Sequence, residues 1–287
     1  MWFGKKIAIF IVVLSCSFLV YGQVKVNHVI IVSIDGLRPD ALGKGYSPTM
    51  DKMQNAGFVA ANAYTIDPSI TLPSHTSMLT GRIPEVHKVL WNSYKPEKGV
   101  VKHETCLELA KQNGLKTAFI INKKKLKHLL RPKSFNYYSL PGIHAKKVAR
   151  SFAKYVDKKG LPNLTFLHFA DPDRRGHVFG WMSTKYLHGV RNADLALKMV
   201  VKTITGAKKE NDTVIILTAD HGGFGKSHGE DIIENKQIPW IVVGDGVEKA
   251  ITYENIYTYD TAATALDLLG LNVPPEWEGR VIEVSKD

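Results

Sequence analysis

Cysteine is nearly absent. The chain of 287 residues holds two, and one of them, Cys16, lies in the apolar N-terminal segment. Without that segment only Cys106 is left, so no intrachain disulfide can form even in an oxidising compartment. The fold must rest on its core and on any metal it binds. Long apolar runs are also missing beyond residue 22. The stretch from Ile7 to Val20 is shorter than the roughly 20 residues that cross a bilayer comfortably. With Lys5 and Lys6 before it and the small Gly22 after it, residues 1–22 read as a secretory signal peptide, cleaved before Gln23. An uncleaved anchor is the alternative. Export to a periplasmic or secreted location follows, with no membrane span beyond the leader. No internal repeat, low-complexity tract or Ser/Gly linker divides residues 23–287, which are read as a single domain.

Positive charge, by contrast, is abundant. The formal net charge is +11, and loss of Lys5 and Lys6 with no acid lowers it to +9. A basic surface speeds encounter with anionic partners such as phosphate esters, anionic lipid or nucleic acid, without choosing among them. Hydrophobic residues at 44% supply an ample core.

Strand-like runs alternate with helix-like segments over short connections, which predicts an α/β fold with a mainly parallel central sheet and helices on both faces. Strands are expected at 28–36, 116–121, 163–170, 212–220 and 238–244. Helices are expected at 49–56, 103–113, 144–159, 183–205 and 259–269, and another entered through Pro73 and closed by Gly81. The segment from Gly81 to Val101 is read as irregular, a small lid or strand pair.

Seven residues of metal-ligand type fall in short clusters that follow strand-like runs. They are Asp35 in HVIIVSIDG, Thr71 in SITLPSH, Asp173 and His177 in FADPDRRGH, and Asp220 and His221 in VIILTADHGG, with His228 just behind. Parallel-sheet proteins gather their chemistry at the carboxyl ends of strands. Carboxylates and imidazoles without thiolates suit zinc, manganese or iron, and the set is too rich in nitrogen for calcium. Asp173 and His177 are four apart, so one turn can aim both at one ion. Asp35 can join Asp220 and His221 only if their strands are neighbours.

The motifs SIDGLRPD, TLPSHTSMLTGRIPEVH, DPDRRGH, TADHGG and SHGE, taken in order, resemble the alkaline phosphatase superfamily. The branch they resemble most is the type I phosphodiesterase/nucleotide pyrophosphatase family, and they span residues 29–229. The resemblance implies an alkaline-phosphatase-like minimal core and two divalent metal ions, zinc being expected. Asp35, Thr71, Asp220 and His221 would hold one ion, and Asp173, His177 and His228 the other. Thr71 would be the nucleophile and would pass through a phosphothreonine. Asn92 in LWNSY would match the asparagine that binds a phosphoryl oxygen. The implied partner is a small anionic phosphoester, with no specific nucleic-acid binding. A coordinated cation can lower the pKa of a bound oxygen from about 16 to about 7, which a threonine nucleophile needs. The chain departs from the family at Ser74, where asparagine is commoner, and in having only six residues between His221 and His228.

Other readings compete. A phosphomonoesterase on the same core would need more cationic grip, for which Arg38, Arg82, Arg174 and Arg175 are available. A sulfatase would need Cys or Ser in a C/S-x-P-x-R pattern, which residues 71–75 do not provide. A phosphoethanolamine transferase would use a similar threonine but would normally carry several membrane spans. A basic envelope-binding protein that has lost catalysis would show a decayed ligand set. The basic run at 122–133 is read as a solvated helix face, and His75, His87 and His168 as hydrogen-bonded structural histidines. Asp194 and Asp260 are read as helix-cap or packing residues. The GGFGKS stretch lacks the first glycine of a phosphate-binding loop, because Asp220 stands there.

Overall fold

The computed structural model describes residues 25–285, so the leader expected over residues 1–22 lies outside the described residues. In chain order the elements are β1 (His28–Ile34), α1 (Pro48–Ala56), β2 (Phe58–Tyr64), α2 (Thr71–Thr80), α3 (Pro84–His87) and α4 (Cys106–Gln112). Next come β3 (Thr117–Ile120), β4 (Tyr137–Ser139), α5 (Ala145–Lys159), β5 (Leu164–Phe169), α6 (Asp171–Phe179) and α7 (Thr184–Gly206). The chain closes with β6 (Thr213–Thr218), α8 (Ile233–Lys236), β7 (Trp240–Gly244), β8 (Ala250–Tyr257) and α9 (Asp260–Leu268).

The strands form one sheet in the order β4-β3-β5-β1-β6-β7-β2-β8. Strand β1 runs parallel to β5 on one side and to β6 on the other, and only β7 is antiparallel to its neighbours. The expected adjacency of the ligand-bearing strands is therefore present. Every residue of β1, β5 and β6 is buried, as expected for central strands covered on both faces by helices. Helices α1, α5 and α6 pack around the long α7, while α2 and α4 pack around α9, so the two groups flank the sheet. Asp194 of α7 ties α1 into the first of these groups. Its carboxylate accepts the Thr49 and Met50 N–H groups at 2.8 and 2.9 Å, capping α1.

The structure adds three strands that the sequence reading left out: β2, β4 and β8. β4 has three residues, and β8 is an edge strand, mostly exposed, with no clean alternation. β2 carries Ala60, Ala61 and Asn62 and lacks the run of branched residues that marks a strand. Residues 171–179, to which the sequence reading assigned no element, form a full helix entered through Pro172. The segment from Gly81 to Val101 contains α3 and a turn at Pro96–Lys98 but no strand pair.

Candidate metal centre

The register sets the site. Ser33 of β1 lies between His168 of β5 and Thr218 of β6, so the chain leaves all three strands at one level. Asp35 follows β1, Asp220 follows β6, and Asp173 sits in the first turn of α6 directly after β5. The loops are bound to one another: Asp173 N–H donates to Asp35 O at 3.0 Å, and Gly36 N–H to Asp220 Oδ1 at 3.1 Å. This closeness requires glycine at position 36. Its φ is +71°, and a Cβ there would lie 2.9 Å from the Asp173 Cα. Gly223, past His221, is equally constrained, since a Cβ would meet the Trp181 ring at 2.1 Å.

All seven candidate ligands converge. His221 Nε2 lies 3.5 Å from Asp35 Oδ1, 3.4 Å from Asp220 Oδ2 and 3.9 Å from Asp173 Oδ1. His228 Nε2 and His177 Nε2 stand 3.6 and 3.3 Å from that same Asp173 oxygen. Thr71 Oγ1 is 3.5 Å from His221 Nε2. Two groups have ligand atoms mutually within 4.8 Å: Asp35, Asp220 and His221, and Asp173, His221 and His228.

Electrostatics shows what this cluster suits. Asp35 Oδ1, Asp173 Oδ1 and Asp220 Oδ2 are buried and have no hydrogen-bond partner. The two histidines beside them cannot supply one. His221 Nδ1–H donates to Gly222 O at 2.7 Å and His228 Nδ1–H to Ser69 O at 2.8 Å, because a carbonyl only accepts. Burial keeps both rings neutral, with the His221 pKa lowered to about 3. Each Nε2 thus presents a lone pair to a carboxylate oxygen. Such an arrangement is repulsive unless a cation lies between, and a ring tied through Nδ1–H to a backbone carbonyl is the usual support of a metal-bound histidine. His177 is held the same way by Lys226 O at 3.0 Å, but it is half-exposed and the Asp173 carboxylate raises its pKa. The donor set of carboxylates, imidazoles and one hydroxyl fits divalent cations.

Among the carboxylates, burial raises the Asp220 pKa well above the ordinary range, and the charge of Asp35 adds to it. Burial pushes Asp35 in the same direction but is outweighed by Lys123 and by the His168 hydrogen bond, which hold it well below that range. For Asp173 the upward pushes of burial and Asp35 lose to Lys123, and the pKa falls to about 2.

Lys123 is the residue that the sequence reading missed. The run 122–133, taken as a solvated helix face, instead turns inward after β3 and forms a 3₁₀ turn at Lys124–Leu129. Lys123 Nζ pairs with Asp35 Oδ2 at 2.7 Å and Asp173 Oδ2 at 2.6 Å, and donates to Thr71 Oγ1 at 3.3 Å. Burial would lower its pKa, but Asp173 and Asp35 raise it, so it is a full cation. Lys125 Nζ donates to Asn92 Oδ1 at 2.9 Å, and the same oxygen accepts Leu72 N–H from the first turn of α2 at 3.0 Å. Lys124 and Lys127 of the same run lie out on a ring, 4.7 and 5.5 Å from the centroid of Tyr94.

The structural histidines prop up the site. His168 Nε2–H donates to Asp35 Oδ2 at 2.9 Å, with its Nδ1 taking the Asn122 amide N–H at 2.6 Å once that amide is turned to also satisfy Ala170 N–H. His75 links Thr71 O at 2.7 Å to Ser33 Oγ at 2.8 Å. Of the two acids in DPDRRGH, Asp171 caps α5 through Ala145 N–H at 2.7 Å, leaving Asp173 for the centre.

Comparison with known proteins agrees with this geometry. The chain is 24% identical over 277 residues to the catalytic subunit of human GPI ethanolamine phosphate transferase 2, covering 89% of this chain and 28% of that protein. It is 25% identical over 214 residues to human ectonucleotide pyrophosphatase/phosphodiesterase family member 1, covering 67% and 23%. The chain thus spans about a quarter of the length of these curated relatives. Among solved structures, murine ectonucleotide pyrophosphatase/phosphodiesterase 5, an inactive variant in complex with AMP, matches with a TM-score of 0.74 at 16% identity, over 87% of this chain and 96% of that one. A Bacteroides thetaiotaomicron protein described as a putative sulfatase matches with a TM-score of 0.76 at 15% identity, over 90% and 74%. These likenesses show the alkaline-phosphatase-like fold. A profile of the family described as type I phosphodiesterase / nucleotide pyrophosphatase matches residues 29–240. Since that match takes in every ligand cluster described above, the chain belongs to the type I phosphodiesterase/nucleotide pyrophosphatase family.

Proposed function

We propose that the chain is an exported, metal-dependent phosphoester hydrolase that cleaves diester or pyrophosphate bonds through Thr71. The observation that supports this most is a threonine hydroxyl 3.5 Å from the His221 lone pair, in a cluster that also holds three orphaned carboxylate oxygens. Asp35, Thr71, Asp220 and His221 would hold one divalent cation, and Asp173, His177 and His228 the other, zinc in our reading. When bound, the cations would supply the positive charge that acidifies the threonine hydroxyl and offsets charge on the phosphoryl oxygens.

The protein's own groups account for the rest. Thr71 is the first residue of α2, where free N–H groups and the helix dipole favour negative charge. Its oxygen forms the new bond to phosphorus, the bond to the leaving oxygen breaks, and water later cleaves the phosphothreonine. Asn92 is fixed by two donors on Oδ1, which leaves its NH₂ group to donate to a phosphoryl oxygen. His75 and His168, both neutral and buried, hold Thr71 and Asp35 in place.

The test is hydrolysis of bis(p-nitrophenyl) phosphate and p-nitrophenyl phosphate, with Zn²⁺ and after chelation. The diester should be preferred, and turnover should vanish in Thr71→Ala and without metal. Undiminished turnover in Thr71→Ala would refute the mechanism. A second reading, a phosphomonoesterase, is favoured by one observation: Lys123 and Lys125 bring two cationic side chains to the centre. The four arginines considered for that grip are engaged elsewhere, Arg38 with Asp40, Arg82 with Glu276, Arg174 with Asp171 and Arg175 with the Lys185 carbonyl. Preference for the monoester would establish that reading.

A further inference from the structure

We infer that Lys123 is a catalytic residue, a third, protein-borne cation that stabilises the Thr71 oxygen as it attacks and that competes electrostatically with the metals. The inference rests on the proposed threonine mechanism and adds to it a residue absent from the ligand set.

Geometry separates this lysine from an ordinary ion-pair partner. Its ammonium has three hydrogens, and the structure offers three acceptors: Asp35 Oδ2, Asp173 Oδ2 and Thr71 Oγ1. Its contacts divide the carboxylates cleanly. Lys123 takes the Oδ2 atom of Asp35 and of Asp173, while the orphaned Oδ1 atoms face the histidine lone pairs. Ammonium and metals therefore use different oxygens, and Lys123 need not leave when the centre is loaded. A lysine that only neutralised the buried acids would have no reason to place its third hydrogen on the hydroxyl of Thr71.

Lys123 is also fixed from behind. It enters the 3₁₀ turn whose Leu126 and Leu129 are buried in the core, and its neighbour Asn122 clamps His168, the other partner of Asp35 Oδ2. The side chain is only 19% exposed, so its charge is poorly screened. During attack the ammonium keeps its three protons. The hydroxyl proton of Thr71 passes to solvent, the Oγ1–P bond forms, and the P–O bond to the leaving group breaks. Charge that builds on Oγ1 meets a donor already in position, which is the arrangement that lowers a barrier most effectively.

The two effects of the charge have opposite signs, and this provides the test. Lys123→Met removes a positive charge next to the metal-binding carboxylates, so Zn²⁺ should bind the demetallated protein at least about tenfold more tightly by calorimetry. The same variant, loaded with zinc, should turn over about 10²-fold more slowly, the usual loss when one oxyanion donor is removed. Orthovanadate affinity of the loaded protein, which needs no turnover, should fall as well. Lys123→Arg should return Zn²⁺ affinity to the wild-type value and restore part of the turnover. Lys123→Gln, which keeps a donor for the carboxylates but no charge, should behave like the methionine variant and serves if that one does not fold. Weaker Zn²⁺ binding in the uncharged variants would make Lys123 a scaffold for the carboxylates and overturn the inference. Tighter binding with unchanged turnover and vanadate affinity would overturn it too, leaving only a counter-charge. If the wild type hydrolyses neither ester, the proposed function fails, and the Zn²⁺ and vanadate titrations still decide the role of the lysine.

Discussion

Replacing Asp220 by asparagine should stabilise the metal-free protein and weaken its stabilisation by metal. Asp220 is fully buried, and its Oδ1 accepts the Gly36 and His221 N–H groups at 3.1 and 3.0 Å. Its Oδ2 has no partner and lies 3.4 Å from the His221 Nε2 lone pair. An asparagine keeps both Oδ1 bonds and puts an N–H donor where the orphaned oxygen was, facing a nitrogen that can accept it. The variant relieves an unpaired buried charge, which should be worth about 1–3 kcal/mol. For a domain of this size, that corresponds to a rise of roughly 2–10 °C in Tm.

The pH dependence has a definite sign. Burial and the neighbouring Asp35 charge raise the folded-state pKa of Asp220 above 3.8, so in this region the folded protein binds more protons than the unfolded chain. Stability is therefore full below the unfolded pKa and is lost as pH rises through the folded one. The advantage of Asp220→Asn should be present at pH 7 and shrink towards pH 4. Zinc at one hundred times its Kd should stabilise the wild type by about 2.7 kcal/mol for each site filled, and the variant by much less. Thermal and urea unfolding with and without Zn²⁺ read all of this. If Asp220→Asn destabilises the metal-free and zinc-loaded proteins equally, Asp220 is an ordinary structural acid and the cation argument fails.

Acid should weaken the fold through His87, whose pKa is lowered to about 4, first by burial and then by His103. Its Nδ1 accepts Val89 N–H at 3.0 Å, a bond that protonation abolishes, so stability should fall by up to about 3 kcal/mol between pH 6.5 and 4. Urea unfolding of the wild type against His87→Gln should show a flatter pH profile for the variant. Gly36→Ala should cost about 2 kcal/mol or more, since it combines a left-handed backbone with a clash against Asp173, and it should weaken Zn²⁺ binding as well. Cys106 is fully buried, and burial pushes its thiol up to about 12. It should resist thiol reagents at pH 8 until urea unfolds the chain, and a native-state reaction would contradict its placement in the core.

Much of the fold was legible because the central strands are covered on both faces. β1, β5 and β6 read as predominantly apolar runs, and their helices carry ordinary caps such as Gly81 at φ +64° closing α2. Legibility failed where burial is one-sided or pairing is brief. Edge strand β8 places Thr252, Glu254 and Asn255 in a strand held by pairing with β2, so tertiary hydrogen bonds override the propensities of its residues. Helix α6 was hidden for a different reason. Its sequence holds two acids, two arginines and a glycine, with no apolar stripe, because Asp171 caps α5 and Asp173 faces the metal centre.

The site shows the same contrast between residue type and residue environment. Asp, His and Thr at strand ends advertise chemistry because few structural tasks need them there in ordered sets. Lysine carries no such signal: a run of lysines normally means a solvated surface, and Lys124 and Lys127 follow that rule over Tyr94. Lys123 and Lys125 alternate with them and point the other way, since Leu126 and Leu129 bury one side of the turn and fix which lysines face Thr71 and Asn92. The only trace in the sequence is that three leucines and a histidine interrupt the basic run at 126, 128, 129 and 130, which a solvated helix face would not require. A charge near a strand end should therefore be judged by the apolar residues that anchor its turn. By that criterion the inward lysines are as much part of the centre as the carboxylates and the asparagine they hold.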